Sequence, residues 1–160
     1  MGSKPISSPP AEKPADQLLR EMADREAIRD LPIRYSDCLC RSDIDGVVRL
    51  FTKDGTFTAK NEEQEVVSRG TADLKKMYKN MFKNLYPRPF AHTHLVELQG
   101  ADRATGRCYV EMRSAKINLE WIGTGYYEDE YAKVGGEWKF ASRRLTEVGT
   151  GIPLRNFMAG

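Results

Sequence analysis

The sequence predicts an α+β fold, with helices gathered in the first half and an antiparallel sheet in the second. Three observations carry this. Apolar residues recur at helical spacing three times before residue 86. From residue 90 the period changes to two and holds over four runs. The turns between those runs are short, as in Asp102-Arg103-Ala104-Thr105-Gly106 and Gly135-Gly136.

The elements follow in order. Residues 1–15 carry four prolines and three serines, too little apolar surface to order a chain, and read as a flexible tail. Asp16 is placed to cap a first helix whose buried side is Leu18, Leu19, Met22, Ala23, Ala27 and Ile28. Pro32 removes a backbone donor and predicts a kink or break, after which Ile33, Tyr35, Ser36, Leu39 and Cys40 continue as helix. Asp43 reads as a second N-cap, with Val47, Val48, Leu50 and Phe51 inside. Gly55–Ala59 and Glu65–Ser68 form a short hairpin. Thr71 opens a third helix with Leu74, Met77, Tyr78, Met81, Phe82 and Leu85 on one face, a stripe that reads as core packing. Strands are expected over 91–99, 105–118, 123–133 and 136–148, with a tail at 149–160. One domain over 16–148 suits the length.

Composition narrows the function. Net charge is +2 and the 25 basic residues are scattered without aromatic interleaving, which argues against nucleic acid. No apolar run is long enough to span a bilayer, so no membrane is expected. The first residues lack a signal peptide's apolar stretch, and three cysteines (Cys38, Cys40, Cys108) make no disulfide pattern; both suggest a reduced, cytoplasmic protein. No glycine-rich phosphate loop is present, so no nucleotide cofactor is expected.

Three segments, "REAIRDLPIRY", "SDIDGVVRLFTKDGTF" and "GYYEDEYAKVGGEWKFASRRL", resemble the NTF2-like superfamily, and within it the SnoaL-like, dehydratase and dehydrochlorinase branch. The resemblance covers roughly residues 21–148. It implies a cone: a curved mixed sheet wrapped around three helices, with an internal pocket. It also implies a site carrying Tyr35 and Arg143. The Asp of that site falls on Cys40 and its His on Pro89, so the branch's Asp–His pair is absent in register.

Every histidine in the chain lies in "PFAHTHLVEL". His92 and His94 share strand parity with Val96 and Leu98, so all four are expected on one apolar face. There a neutral imidazole could accept a proton, the pair could clamp a metal, or both could be core histidines. A third ligand is hard to find, because Cys38 and Cys40 lie on nearly opposite helix faces, and no metal is expected. Arg143 and Arg144 point to opposite faces of the last strand: Arg144 shares parity with Trp138 and Phe140, whereas Arg143 is the position the resemblance selects. Met112, Cys40, Phe57, Trp121 and Tyr126 are candidate substrate-contacting surface, together with Arg144. Cys40 also reads as a small buried hydrophobe.

Two functions fit. One is a cofactor-independent lyase or isomerase on a small hydrophobic, aromatic or cyclic molecule. His92 or His94 would take a proton, and Tyr35 and Arg143 would stabilise charge developing on oxygen. Elimination of water, or release of formaldehyde, suits that machinery. The other is a non-catalytic binding or scaffold subunit of the kind that accompanies oxygenases. Tyr109, Ile117, Tyr127 and Tyr131 are expected on the outer sheet face, where they would build a homodimer or homotrimer.

Overall fold

The computed structural model describes residues 13–60 and 64–148. The expected tails at 1–15 and 149–160 lie outside the described residues, except that residues 13–15 are described and Ala15 already belongs to α1. The elements are α1 (Ala15–Cys40), α2 (Ile44–Arg49), β1 (Phe51–Lys60), β2 (Glu65–Arg69), α3 (Gly70–Asn84), β3 (Pro87–Leu98), β4 (Arg103–Ser114), a 3-10 turn (Ala115–Ile117), β5 (Glu120–Val134) and β6 (Glu137–Glu147). Among the described residues no helix is long and apolar enough to cross a membrane.

The six strands form one mixed sheet in the order β2-β1-β6-β5-β4-β3. β3 to β6 run as an antiparallel meander, and β1 returns parallel to β6. α1 packs against β3 and β6, α3 against β1 and β2, and α2 sits between the helices. The α+β class is the one the periodicity predicts, and three helices held against a curved mixed sheet is the architecture the resemblance implies.

α1 corrects one expectation, because it runs unbroken through Pro32. The buried residues Ile28, Leu31, Pro32, Tyr35, Cys38 and Leu39 form a single stripe at 3, 4 and 7 spacing. Burying that stripe outweighs the ~3 kcal/mol that an interior proline costs a helix. The helix starts at Ala15, one residue before the expected cap. Asp16 thus stands in the first turn, where its charge meets the positive end of the helix dipole. Asp43 does cap α2, its carboxylate accepting from the Gly46 backbone N–H at 2.7 Å. Thr71 does not cap α3: Arg69 holds that position, with no side-chain cap bond.

Strand parity decides which residues meet the helices. Cys108 pairs with Tyr127, so even residues of β4 and odd residues of β5 share the inner face. Tyr127 and Tyr131 are therefore buried against the helices, at 3% and 1% exposure, and not on the outer face as expected. Tyr109 and Tyr126 pair on the outer face, their ring centroids 5.8 Å apart. The core is Ile28, Leu39, Leu74, Met77, Phe57, Phe140 and Leu145 around these tyrosines.

Candidate active site on the inner sheet face

The inner face carries a chain of polar groups inside an aromatic shell. Arg143 is the largest fully buried side chain, at 0% exposure. It stands directly opposite Asp129 on β5, and its Nε lies 3.4 Å from Asp129 Oδ1. Its guanidinium is held over three rings: Tyr127 at 3.7 Å, Tyr35 at 4.3 Å and Phe140 at 4.4 Å. Desolvated cation–π contacts of this kind contribute up to about 2 kcal/mol each. Burial works against the arginine's charge, but Asp129 and the tyrosines outweigh it and raise its pKa. Burial pushes the Asp129 carboxyl up to about 6, against the opposing pull of Arg143 and Tyr131. At neutral pH the two form an ion pair.

From Asp129 the chain continues. The Tyr131 hydroxyl donates to Asp129 Oδ2 at 2.9 Å, and the same oxygen lies 2.9 Å from His94 Nε2. An ionised carboxylate only accepts, so the single Tyr131 proton is committed to Asp129. The Tyr131 oxygen then accepts from His94, which places the imidazole proton on Nε2. His94 Nδ1 is left with a bare lone pair, sealed from solvent and without a partner among the described residues. Burial, then the nearby Arg143 and Arg29, push the His94 pKa down to about 4, so the ring is neutral at pH 7. Gly106 makes the arrangement possible. A Cβ there would lie 2.7 Å from the Leu95 carbonyl and 3.0 Å from the Tyr131 ring, which lies across this position to reach His94.

Tyr35 joins from α1. The Tyr78 hydroxyl donates to that of Tyr35 at 3.1 Å, so one O–H of the pair remains to donate elsewhere. Burial raises the pKa of both, keeping them protonated.

The structure thus brings Tyr35, Arg143 and His94 into one connected cluster and takes other sequence candidates out of it. His92 does not share a face with His94. The pairing slips between Ala91 and His94, three residues of β3 spanning two of β4, and this bulge turns His92 outward. There it lies 3.9 Å from Glu111 with its side chain 58% exposed. A second slip sets Trp121 opposite Arg113, so Trp121 faces outward at 45% exposure. A third leaves Ala141 between the pairs Phe140–Tyr131 and Ser142–Glu130. That bulge reverses the parity read from Trp138 and Phe140 and brings Arg143 to their face. Arg144 turns outward, where it pairs with Glu65 at 2.7 Å and lines an outer cleft of about 490 Å³ with Arg107 and Glu128. Tyr126 is also on the outer face, beneath Arg107. Cys40 is exposed at the end of α1. Phe57 and Met112 are buried on the inner face, at 2% and 5% exposure.

Sequence reasoning missed Asp129 and the part of Tyr131, which it expected on the outer sheet face. The signal was present in "YYEDEY": an aspartate sharing strand parity with two tyrosines points to a buried, paired acid. Among the described residues no group of three His, Cys, Asp or Glu side chains is placed to hold a metal ion.

A sequence profile described as a SnoaL-like domain matches residues 20–144. The chain belongs to the SnoaL-like domain family. No curated protein matches it. Solved structures with the NTF2-like, cystatin-like fold do. The SnoaL-like chain is 29% identical to Rv3472 of Mycobacterium tuberculosis, a protein of unknown function, over 84% of this chain and 76% of that one, with a TM-score of 0.70. It is 26% identical to a Novosphingobium aromaticivorans protein provisionally described as an aromatic ring hydroxylase, over 87% and 98% of the two chains, with a TM-score of 0.74. A provisional scytalone dehydratase of the same organism shares the SnoaL-like chain's fold at 19% identity, over 85% and 92%, with a TM-score of 0.70.

Proposed function

We propose that this SnoaL-like protein is a cofactor-independent lyase or isomerase that removes a proton from a small hydrophobic, aromatic or cyclic molecule, with His94 as the base. One observation carries the reading: the Asp129–Tyr131–His94 chain fixes the imidazole proton on Nε2 and leaves Nδ1 free to accept. Orienting a neutral histidine through a buried acid is how general bases are prepared elsewhere. Arg143 supplies positive charge in a low-dielectric surrounding, and the Tyr35–Tyr78 pair supplies a donor for an oxygen that gains negative charge. The fold shared with a provisional scytalone dehydratase is compatible with elimination of water. Phe57 and Met112, buried on the same inner face, would supply apolar contact to a substrate held there. Phe90 and Leu95, exposed beside Tyr109 and Tyr126 on the outer face, support a homodimer or homotrimer.

The test uses the aldol of acetone and benzaldehyde, whose dehydration gives a conjugated enone followed by its absorbance. Turnover should rise with pH through about 4, where His94 loses its proton. His94→Gln should lower kcat by ~10²–10⁴, while His92→Gln leaves it unchanged. A wild-type protein inert towards the aldol, or a His94→Gln variant of full activity, rejects the reading. A scaffold or binding subunit is the second reading, favoured by the complete enclosure of Arg143 under three rings. Under it, His94→Gln affects folding stability alone.

A further inference from the structure

We propose that Glu147 is the proton donor of this site, giving its proton to the leaving group while His94 takes the proton from carbon. The inference rests on the reading of His94 as the base.

Glu147 is the last residue of β6, and its place follows from the register. It stands opposite Gly125 in an unbroken run of pairs that includes Leu145–Tyr127 and Arg143–Asp129. It therefore projects from the inner face. Carried across the sheet, its row is Glu147, Gly125, Val110 and Ala91, and the next row is Leu145, Tyr127, Cys108 and His94. Glu147 and His94 are three strands apart and one row offset, about 14 Å across the strands and about 7 Å along them, or roughly 16 Å between Cα positions on a flat sheet. Sheet curvature shortens the chord, and both side chains reach inward across it.

Between them β5 offers only backbone. Its two inward positions at this end are Gly123 and Gly125. At Gly125 the absence of a side chain is required, because a Cβ would lie 2.4 Å from the Thr146 carbonyl. This end of the inner face thus has a backbone floor, flanked by Val110 and Met112 on one side and Glu147 on the other.

Glu147 Oε1 is sealed from solvent with no hydrogen-bond partner among the described residues. The ion pairs of the fold use other acids. The titratable groups nearest it by register are Tyr127, Cys108 and His94 in the next row, with Asp129 and Arg143 beyond. Burial alone acts on Glu147 and pushes it up to about 7. A large fraction of the protein thus carries a protonated donor at neutral pH, as general acid catalysis requires.

The step balances without a co-reactant. His94 Nδ1 takes the proton from the carbon next to the carbonyl, the C–H pair becomes the new C=C bond, and the C–O bond breaks. The departing hydroxyl leaves as water with the Glu147 proton. The resulting imidazolium and carboxylate reset by exchange with solvent.

The full-length chain is assayed with the acetone–benzaldehyde aldol across the pH range, and Glu147 is followed by carboxyl carbon NMR, assigned with Glu147→Gln. The inference expects a descending limb of kcat near pH 7 that Glu147→Gln removes, a loss of ~10²-fold or more, and a Glu147 resonance that titrates near 7 and moves when the aldol is added. If His94→Gln abolishes elimination and Glu147→Gln keeps the wild-type profile, this inference falls and the reading of His94 stands. If neither substitution matters, both fall. A Glu147 resonance that titrates with ordinary exposed glutamates, or is unmoved by the aldol, also overturns it.

Discussion

Replacing Tyr131 with Phe deletes one oxygen and interrupts the polar chain at its centre. That oxygen serves two partners at 2.9 Å each, Asp129 Oδ2 and His94 Nε2. Removing a donor from a buried carboxylate costs about 1.5–3 kcal/mol, and stranding the imidazole N–H costs about 1 kcal/mol more. The expected destabilisation at slightly alkaline pH is thus about 3 kcal/mol. It also has a sign in pH. The folded pKa of Asp129, about 6, lies above its ordinary 3.8. Its contribution to stability is therefore full below 3.8 and is lost as pH rises through 6. Phe at 131 raises that folded pKa further, so the variant's deficit opens as pH rises through 6 and narrows below it. Urea unfolding at about pH 8 and about pH 5 measures both. Nitrogen NMR of the imidazole checks the accompanying claim: His94 carries its proton on Nε2 in the wild type and becomes a tautomer mixture in the variant. A deficit under about 1 kcal/mol at both pH values, or a wild-type proton on Nδ1, would refute the reasoning.

Three further outcomes follow from the same contacts. Arg143→Leu leaves Asp129 as an unpaired buried charge and should cost about 3–5 kcal/mol in chemical denaturation; adding Asp129→Leu should recover most of it. His94 has a folded pKa of about 4, below the ordinary 6.5, so its share of stability is full above 6.5 and drains as pH falls towards 4. The 2.5-unit gap sets a ceiling of about 3 kcal/mol, and partial exposure of the ring reduces this to about 1–2 kcal/mol; His94→Gln should flatten the acid side of the stability curve by that amount. Gly106→Ala forces a Cβ to within 3.0 Å of the Tyr131 ring and should cost about 1–3 kcal/mol, with loss of the single His94 tautomer on the NMR spectrum.

The fold was legible because its signals are periodic and redundant. The stripe from Leu74 to Phe82 and the Asp43 cap each follow from local chemistry, and the structure places both as read. The switch to a period of two at residue 90 locates the meander to within a few residues. Pro32 misled because its local cost is smaller than the burial gained by the turns around it. The site was legible only in part. Tyr35 and Arg143 came from resemblance, and the cluster that holds them came from geometry. Asp129 looked like any surface acid because nothing local reveals that Arg143, on the next strand beyond the turn at Gly135-Gly136, stands opposite it.

Face assignment from parity is a single binary choice per strand, and one extra residue reverses it for everything beyond. Three of the sheet's register slips bear on the site, near Thr93, at Ile122 and at Ala141, and none of those three residues is itself a glycine or proline. Without the first, His92 and His94 would project together. Without the second, Trp121 would project inward beside the glycines of β5. Without the third, Arg144 would occupy the inner face and Arg143 would pair with surface acids. The sequence therefore encodes two alternative inner faces, and the bulges choose between them. They choose the one in which the arginine meets Asp129, the aspartate meets Tyr131, and the tyrosine meets His94. Bulges cost ladder hydrogen bonds and persist where re-aiming a side chain matters. A fold needing only a hydrophobic interior would gain nothing from placing this ion pair inside, since an apolar pair of equal volume packs there at no electrostatic cost. The arrangement is more economically explained by what the polar chain does to His94 than by what it does for stability.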